Sequence, residues 1–453
     1  MISNILKYVP SILRMKIEHQ PNLVKIIDNF GWLFFDKVLR MGVGLLVGVW
    51  IARYLGPEQF GLINFAMAFT GLFGAIATMG LQEIIVRDIV KNPSEAHLII
   101  ETGFILRLIG GLISFLLIIG VINYLRPHDT LSKAIVLIYG FTLIIQASEV
   151  VKYWFESQVH SKVIVWIENV IFLIITIVKI CMILLNTSIL AFVFAAFAEA
   201  LLVAVSLFFI YKKKVGQLLS KKLPDFILVK KLLTDSWPLI LSGLAISVYM
   251  KIDQIMLGQL SNDQAVGIYS AAVRISEIWY FIPLIIVASV FPSIVDSKKK
   301  DEKKYIARLQ KLFDLLILLS LAIAIPLSFL SPIIINFLFG PDYVSSAAIL
   351  KIHIWASVFV FIGTAGSKWF LIENRQILHF QRTFLGAIVN ILLNLILIPK
   401  HNALGAAYAT VIAYSISAFF SDLLQKETWP LFRMKLNSIN VIRTIINISK
   451  KQI

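Results

Sequence analysis

YLGPEQFGLINFAMAF (Tyr54–Phe69) is repeated in related form as QLSNDQAVGIYSAAVR (Gln259–Arg274). With one inserted residue in the second copy, Gly61 aligns with Gly267. Each copy follows one long apolar stretch and leads into the next, so the two copies occupy the same place in two series of such stretches. A repeat of this kind predicts a chain built from two halves with the same order of elements.

The apolar stretches themselves indicate the fold class. The chain is 58% hydrophobic and only 15% charged, whereas soluble domains carry about 25% charged residues. A bilayer core about 30 Å thick needs about 20 apolar residues per helix. Twelve stretches of that length, six in each half, predict an all-α polytopic membrane protein. We expect twelve transmembrane helices in two six-helix lobes related by a pseudo-twofold axis along the membrane normal.

The predicted spans of the first half are Gly31–Ala52, Phe60–Leu81, Leu98–Ile122, Ala134–Phe155, Val163–Leu185 and Ile189–Tyr211. Those of the second half are Trp237–Leu260, Ile268–Val295, Leu312–Phe337, Ala347–Ser367, Thr383–Ile398 and Ala403–Leu424. The predicted domains are a cytoplasmic N-terminal segment (1–28), an N-terminal lobe (29–211), a basic cytoplasmic linker (212–236), a C-terminal lobe (237–424) and a basic cytoplasmic tail (425–453).

The placement of charge predicts the orientation. The formal net charge is +16, and 30 of the 42 Lys and Arg residues fall in the termini and the even-numbered loops, against four in the odd-numbered loops. The lysine-rich stretch SKKKDEKKY (Ser297–Tyr305) is one such loop. Because basic residues collect on the cytoplasmic side, both termini are expected in the cytoplasm. This distribution argues against nucleic acid as the partner of the basic residues.

Charges inside the spans point to the functional site, since a cation at the bilayer centre costs about 2.5–3.5 kcal/mol. We predict substrate binding by four cations within the spans, which are Arg40, Lys179, Lys251 and Arg274. A cationic interior suits phosphate or pyrophosphate, because Arg presents a planar fork of donors to phosphate oxygens. The alternative for each residue is a salt bridge that fixes helix packing, or a side chain that reaches the membrane surface.

Acidic groups in the spans are candidates for charge pairing or for coupling to a proton or sodium ion; they are Asp36, Asp253 and Glu277, with His353 as a fourth titratable group. Helical spacing predicts three pairs: Asp36 with Arg40 at i,i+4, and Glu149 with Lys152 and Arg274 with Glu277 at i,i+3. His353 titrates near neutral pH when unperturbed, but a hydrogen-bonded histidine of the core is the alternative.

Four segments carry a resemblance to a known family: FDKVLRMGVGLLVGVWIARYLGPEQFGLINFAMAF (Phe35–Phe69), KIDQIMLGQLSNDQAVGIYSAAVRISEIWYFIP (Lys251–Pro283), FLFGPDY (Phe337–Tyr343) and NLILIPKHNALGAAYAT (Asn394–Thr410). They resemble the polysaccharide-type flippases of the multidrug/oligosaccharidyl-lipid/polysaccharide exporter superfamily. Among these, the Wzx-type O-antigen flippases are the most similar. The resemblance extends over nearly the whole chain.

The resemblance implies a V-shaped bundle that moves a polyprenyl-pyrophosphate-linked oligosaccharide from the cytoplasmic to the periplasmic leaflet of a bacterial inner membrane, in O-antigen and lipopolysaccharide biosynthesis. It also implies that cavity cations hold the substrate, which carries over to Arg40, Lys251 and Arg274, with Asp36 and Asp253 orienting them. Membrane lipid, a polysaccharide polymerase, a chain-length regulator and a coupling ion are the partners expected with it.

Two other functions remain open at this point. A drug/cation antiporter of the same superfamily would favour unpaired acids and aromatic residues in the cavity, whereas here the spans hold eight cations and eight acids. A membrane-embedded polymerase or ligase of surface polysaccharide would need a large outer loop with catalytic residues. The sequence contains no familiar catalytic motif, and we expect no catalytic residue, no metal site and no cofactor.

Overall fold

The computed structural model of the chain describes residues 21–215 and 226–439, and within these residues every element is a helix. The α-helices of the first range are α1 (Pro21–Leu72), α2 (Gly74–Thr78), α3 (Leu81–Lys91), α4 (Ala96–Leu125), α5 (Thr130–Ile145), α6 (Val150–Ser157), α7 (Ser161–Leu184) and α8 (Ile189–Val215). Those of the second range are α9 (Phe226–Leu260), α10 (Asp263–Glu277), α11 (Phe281–Lys300), α12 (Glu302–Phe339), α13 (Ser346–His353), α14 (Ala356–Ile372), α15 (Gln376–Ala418) and α16 (Trp429–Ile439).

Ten helices or helical runs in the described residues are long and apolar enough to cross a membrane. The predicted class, an all-helical multi-pass membrane protein, is therefore confirmed. The number differs from the predicted twelve because two predicted pairs of spans each run on as one continuous helical element. The first pair lies in α1 and the last pair lies in α15.

The break inside α1 lies at Gly56, whose φ of 72° and ψ of 171° are not helical. Glycine adopts a positive φ without steric cost, and Pro57 after it lacks the N–H that a helix interior needs. The two residues therefore interrupt the helix between the predicted first and second spans.

The break inside α15 lies at Asn402, with φ 54° and ψ −135°. Asparagine tolerates a positive φ better than most residues. Its side chain is held in place, because Ser261 Oγ donates a hydrogen bond of 2.8 Å to Asn402 Oδ1. This break falls between the predicted eleventh and twelfth spans, three residues after Pro399.

The described residues divide into two compact units. Unit 1 comprises those within 1–54 and 69–244, and unit 2 comprises those within 55–68 and 245–453. Both copies of the repeated pattern, apart from Tyr54 and Phe69 at the ends of the first, consequently lie in unit 2. The predicted domain boundaries stay predictions, and part of the predicted linker, at 216–225, lies outside the described residues.

Each unit has its own apolar core. In unit 1, α3, α4 and α6 pack around residues such as Ile85, Ile100 and Val151, all without solvent exposure. In unit 2, α12 and α14 pack around Phe313 and Phe361, which are also fully buried.

The predicted loop Ser297–Tyr305 is wrong as a loop, because it is helical except at Asp301. The Asp301 carboxylate accepts hydrogen bonds from the backbone N–H groups of Lys303 and Lys304 and so caps the start of α12. An N-cap aspartate satisfies donors that the first turn leaves free. The lysines of this segment therefore lie at the end of α11 and at the start of α12, beyond the apolar part of each helix.

Helix α16 is fixed to unit 2 by buried charge. Lys435 Nζ lies 2.7 Å from Asp422 Oδ2, and Arg382 also pairs with Asp422. Burial lowers the pKa of Lys435, although the Asp422 carboxylate opposes that effect. The predicted tail thus begins with a helix that packs on its own unit, and residues 440–453 of the tail lie outside the described part.

Candidate functional site

Arg40 lies at the centre of a group of paired charges in unit 1. Its Nε donates to Asp36 Oδ1 at 2.7 Å, one helical turn earlier in α1. Its Nη2 donates to Glu168 Oε2 at 3.2 Å on α7. The predicted Asp36–Arg40 pair is confirmed, whereas Glu168 as a partner of Arg40 was not predicted.

The paired charges continue from Glu168 into α6 and α4. Lys152 Nζ lies 2.5 Å from Glu168 Oε1 and 2.9 Å from Glu149 Oε1, which confirms the predicted Glu149–Lys152 pair. Arg107, only 1% exposed, donates to Glu149 at 3.1 Å and to the Tyr153 hydroxyl at 2.7 Å. Acids and cations therefore alternate from Asp36 to Arg107 across four helices.

A cavity of about 320 Å³ opens beside these charges. Glu149, Glu168 and Lys152 line it, together with Glu156 and Gln82, whose amide Nε2 lies 3.3 Å from Glu156 Oε2. The acids around Arg40 offset most of its positive charge. The surroundings of Arg40 are accordingly a balanced set of charges rather than the strongly cationic one expected from the sequence.

Lys179, the second predicted cation of unit 1, is also paired. Its Nζ lies 3.2 Å from Glu199 Oε2, so this contact joins α7 to α8. Both side chains are partly exposed, at 19% and 24%. The Lys179 ammonium therefore stays accessible to solvent, while the Glu199 carboxylate offsets most of its positive charge.

Lys251, Arg274 and Glu277 lie in unit 2 on α9 and α10. Glu277 interacts electrostatically with Lys251 and with Asp253. The guanidinium of Arg274 lies over the Phe60 ring, 5.3 Å from its centroid, which is a cation–π distance. The predicted Arg274–Glu277 pair stays a prediction. Lys251 makes no salt bridge with any residue that the structure describes, and it is partly exposed.

Asp253 is 3% exposed and is held by neutral donors. Thr410 Oγ1 donates to Asp253 Oδ2 at 2.6 Å, and the Tyr269 hydroxyl donates to the same oxygen at 3.1 Å. Asn394 Nδ2 donates to Asp253 Oδ1 at 2.5 Å and lies 3.1 Å from Asn390 Oδ1. We call Asp253, Tyr269, Asn390, Asn394 and Thr410 the Asp253 cage.

The Asp253 cage is oxygen-rich and not fully satisfied. Asn394 Oδ1 is buried without a hydrogen-bond partner, although buried polar atoms are usually paired. No group of three or more His, Cys, Asp or Glu side chains that could hold a metal occurs within 21–215 and 226–439. The cage therefore offers one formal charge and several neutral oxygens, a set suited to a proton or a monovalent cation.

His353 is 2% exposed, and its Nδ1 lies 2.9 Å from Ser276 Oγ. The Tyr269 ring meets it edge-on, with 5.8 Å between centroids. This environment is that of the hydrogen-bonded core histidine left open as the alternative. Tyr269, a member of the Asp253 cage, therefore contacts both His353 and Asp253.

Comparison with known proteins gives a family match over more than half of the chain. The sequence model of a family described as polysaccharide biosynthesis protein matches residues 26–298. A second model, described as MatE, matches residues 238–396.

Two relatives are similar to this chain in sequence. An uncharacterised membrane protein of Methanocaldococcus jannaschii is 23% identical over 427 residues, which is 87% of this chain and 83% of that protein. The "Probable low-salt glycan biosynthesis flippase Agl15" of Haloferax volcanii is 25% identical over 206 residues, 44% of this chain and 42% of that protein.

Solved structures share the fold. An inward-facing multidrug resistance MATE family transporter of the MOP superfamily superposes with a TM-score of 0.68 at 14% identity, over 88% of this chain and 96% of that one. The lipid II flippase MurJ in an inward closed conformation gives 0.64 at 18% identity, over 93% of each chain. At these identities the likeness shows the fold alone.

Proposed function

Since the chain belongs to the polysaccharide biosynthesis protein family, a family of transporters and not of enzymes, we propose that it flips lipid-linked oligosaccharides across a membrane. The substrate we propose is an O-antigen or related repeat unit on polyprenyl pyrophosphate. It moves from the cytoplasmic to the periplasmic leaflet of the bacterial inner membrane by alternating access. The observation that carries the proposal is this family match in a chain with ionisable residues inside its spans.

The proposed topology has twelve spans in two six-helix lobes, with both termini in the cytoplasm. The ten membrane-capable helical runs support it, because α1 and α15 each contain a non-helical break where the sequence predicts a turn between two spans. The strong excess of Lys and Arg on one side supports the orientation. The two copies of the repeated pattern support the relation between the lobes.

The proposed pyrophosphate ligands are Arg40, Lys179, Lys251 and Arg274. Among them Lys251 is the strongest candidate, because Arg40 and Lys179 already pair with carboxylates. Lys251 makes no salt bridge with a described carboxylate, although Glu277 attracts it electrostatically, so its ammonium can form a charge-assisted hydrogen bond with a phosphate oxygen. The paired Arg40 and Lys179 would exchange a carboxylate for the substrate as it arrives.

The proposed coupling site is the Asp253 cage. A proton or sodium ion at Asp253 would neutralise a carboxylate that no described cation contacts by a salt bridge, and the free Asn394 Oδ1 gives a second oxygen. Release of the ion would leave a buried charge, which is costly in a nonpolar interior. Ion occupancy can thereby bias the packing of α9, α10 and α15 and so the direction in which the transporter opens.

The proposed partners beyond the substrate are membrane lipid, a polysaccharide polymerase and a chain-length regulator, because a flipped repeat unit must be consumed on the outer side. A drug/cation antiporter is the second candidate, and it stays open because the MATE transporter and the flippase MurJ share this fold. The surface glycan and the drug susceptibility of cells that lack the chain distinguish the two candidate functions. Loss of surface glycan with unchanged drug susceptibility supports the flippase, and the reverse supports the antiporter.

A further inference from the structure

Unit 2 carries a large groove that the proposed transport cycle does not use. It has a volume of about 830 Å³ and is lined by α12, α13 and α15. Its walls are mostly apolar and include Phe329, Ile352 and Trp355. Phe329 is 78% exposed, so the groove opens away from the core of the unit.

The groove lies between the middle and one end of the spans that line it. On α12 its residues Ile325 to Phe329 lie ten to fourteen residues before the helix ends at Phe339, whereas Ala348 lies two residues after α13 begins and Leu404 lies two residues after the break at Asn402. In the proposed orientation these positions lie in the half of the membrane that faces the outer leaflet. The position of the inferred site in that leaflet rests on the proposed function, but its chemistry does not.

Lys351 is the one charged residue that lines the groove. It is exposed, and it makes no salt bridge with any residue in the described part of the chain. It lies five residues into α13, about 7.5 Å along the axis from Ser346. A lysine in an apolar span is costly unless it reaches the interface or meets a negative group. The neighbouring polar group, Ser328 Oγ, is already used, since it donates to the Lys351 carbonyl at 3.0 Å.

We infer that this groove binds an anionic phospholipid, with a hydrocarbon chain in the apolar part and the phosphodiester on Lys351. The walls provide the apolar surface that a chain needs, and the aromatic rings of Trp355 and Tyr408 suit the membrane interface. One cation complements the single negative charge of a phosphodiester such as that of phosphatidylglycerol. A polyprenyl pyrophosphate carries more charge and would require more cations than the groove offers.

Binding of defined lipids to the full chain tests this inference. The detergent-solubilised protein is titrated with phosphatidylglycerol, phosphatidylcholine or polyprenyl pyrophosphate, and bound lipid is counted by native mass spectrometry. We expect one phosphatidylglycerol to bind at lower concentration than the other two lipids. Lys351→Ala should weaken that binding about fivefold, which is about 1 kcal/mol, the usual worth of one basic residue at an anionic lipid surface.

One control variant and a second groove variant accompany this test. Lys400→Ala removes another exposed lysine of unit 2 that does not line the groove, and it should leave binding unchanged. Ala348→Phe fills the groove without changing charge and should also weaken binding, so the test survives if Lys351→Ala fails to fold.

Equal binding by the wild type and both groove variants would overturn the inference, as it would indicate lipid held only around the protein. Tighter, Lys351-dependent binding of polyprenyl pyrophosphate would also overturn it, in favour of the transported lipid. The assay does not require transport, so phosphatidylglycerol binding in a chain that moves no saccharide would separate failure of the proposed function from failure of this site.

Discussion

Gly61 and Gly267 each lie against the carbonyl oxygen found four residues before the other. A Cβ on Gly61 would lie 1.7 Å from the Asp263 oxygen, and a Cβ on Gly267 would lie 1.9 Å from the Pro57 oxygen. Two helices that cross at small residues approach closely in this way. The two glycines align in the repeated pattern, so the reciprocal contact is what a twofold relation between the halves would produce.

Alanine at either glycine should disrupt this crossing. The overlapping atoms belong to the backbone, so no side-chain rotation can relieve the clash, and we expect a loss of about 1–3 kcal/mol of stability. Thermal unfolding of Gly61→Ala and Gly267→Ala measures it. Gly44→Ala is the control, because an added Cβ there meets nothing within 4 Å. Three variants with the same melting temperature would contradict the crossing.

Lys251→Ala should weaken substrate binding more than it affects folding. The loss of one charge-assisted hydrogen bond to phosphate is worth about 1.5–3 kcal/mol, or about 10- to 150-fold in affinity. Binding of a polyprenyl-pyrophosphate saccharide to the purified chain measures it. Lys251→Arg should keep most of the affinity. An unchanged affinity in Lys251→Ala would remove this residue from the site.

Asp253→Asn should abolish the dependence of transport on the coupling ion. The amide keeps the size of the carboxylate but cannot carry its charge. Transport into vesicles, measured with and without a sodium or proton gradient, gives the readout. Asp314→Asn is the matched control, since Asp314 is another buried acid of unit 2, bonded to Gln310 and Ser438 instead. Retained ion dependence in Asp253→Asn would place the coupling site elsewhere.

Glu168→Gln should destabilise unit 1, because Glu168 bridges Arg40 and Lys152 and its loss leaves two cations with fewer partners. Removing one member of a buried pair costs about 3–5 kcal/mol, and the partial exposure of Glu168, 16%, places the expected loss at the lower end of that range. The double variant Glu168→Gln/Lys152→Met should recover part of it. Denaturation in detergent measures both, and a double variant less stable than Glu168→Gln would contradict the bridge.

Asp88 should make the stability of unit 1 sensitive to acid. Burial alone would raise its pKa, but hydrogen bonds from Lys231 and Arg87 hold that pKa below its usual range. The stabilisation is therefore present above the unfolded value of about 3.9 and is lost as pH falls through the lower folded value. Melting temperatures below pH 5 should show a smaller acid-induced decrease in Asp88→Asn than in the wild type. Exposed Glu95→Gln should behave as the wild type, and identical profiles in all three would contradict the expectation.

The sequence predicted contacts within one helix but not contacts between distant helices. The pairs Asp36–Arg40 and Glu149–Lys152 follow from helical spacing alone. Glu168 lies 128 residues from Arg40, so only the packing of α7 against α1 brings the two together. The hydrophobic periodicity of the sequence predicts each helix separately, but it does not predict which helices pack against each other.

The neutral members of the Asp253 cage are not predicted by the charges in the spans, which point only to ionisable residues. Asn390 and Asn394 are spaced i,i+4 in an apolar stretch, and that spacing is the signal that could have found them. The helical conformation of Ser297–Tyr305 was missed because a high charge suggested a loop, although Asp301 has the position of an N-cap.

The most direct test of the account is the fate of lipid-linked saccharide in cells that lack this chain. Polyprenyl-linked saccharides are extracted and probed with a glycan-modifying reagent that reaches only the outer leaflet. We predict that complete repeat units accumulate, shielded from the reagent, and that expression of the wild-type chain exposes them. Complete units that reach the outer leaflet without this chain, or an unchanged surface glycan, would contradict the flippase.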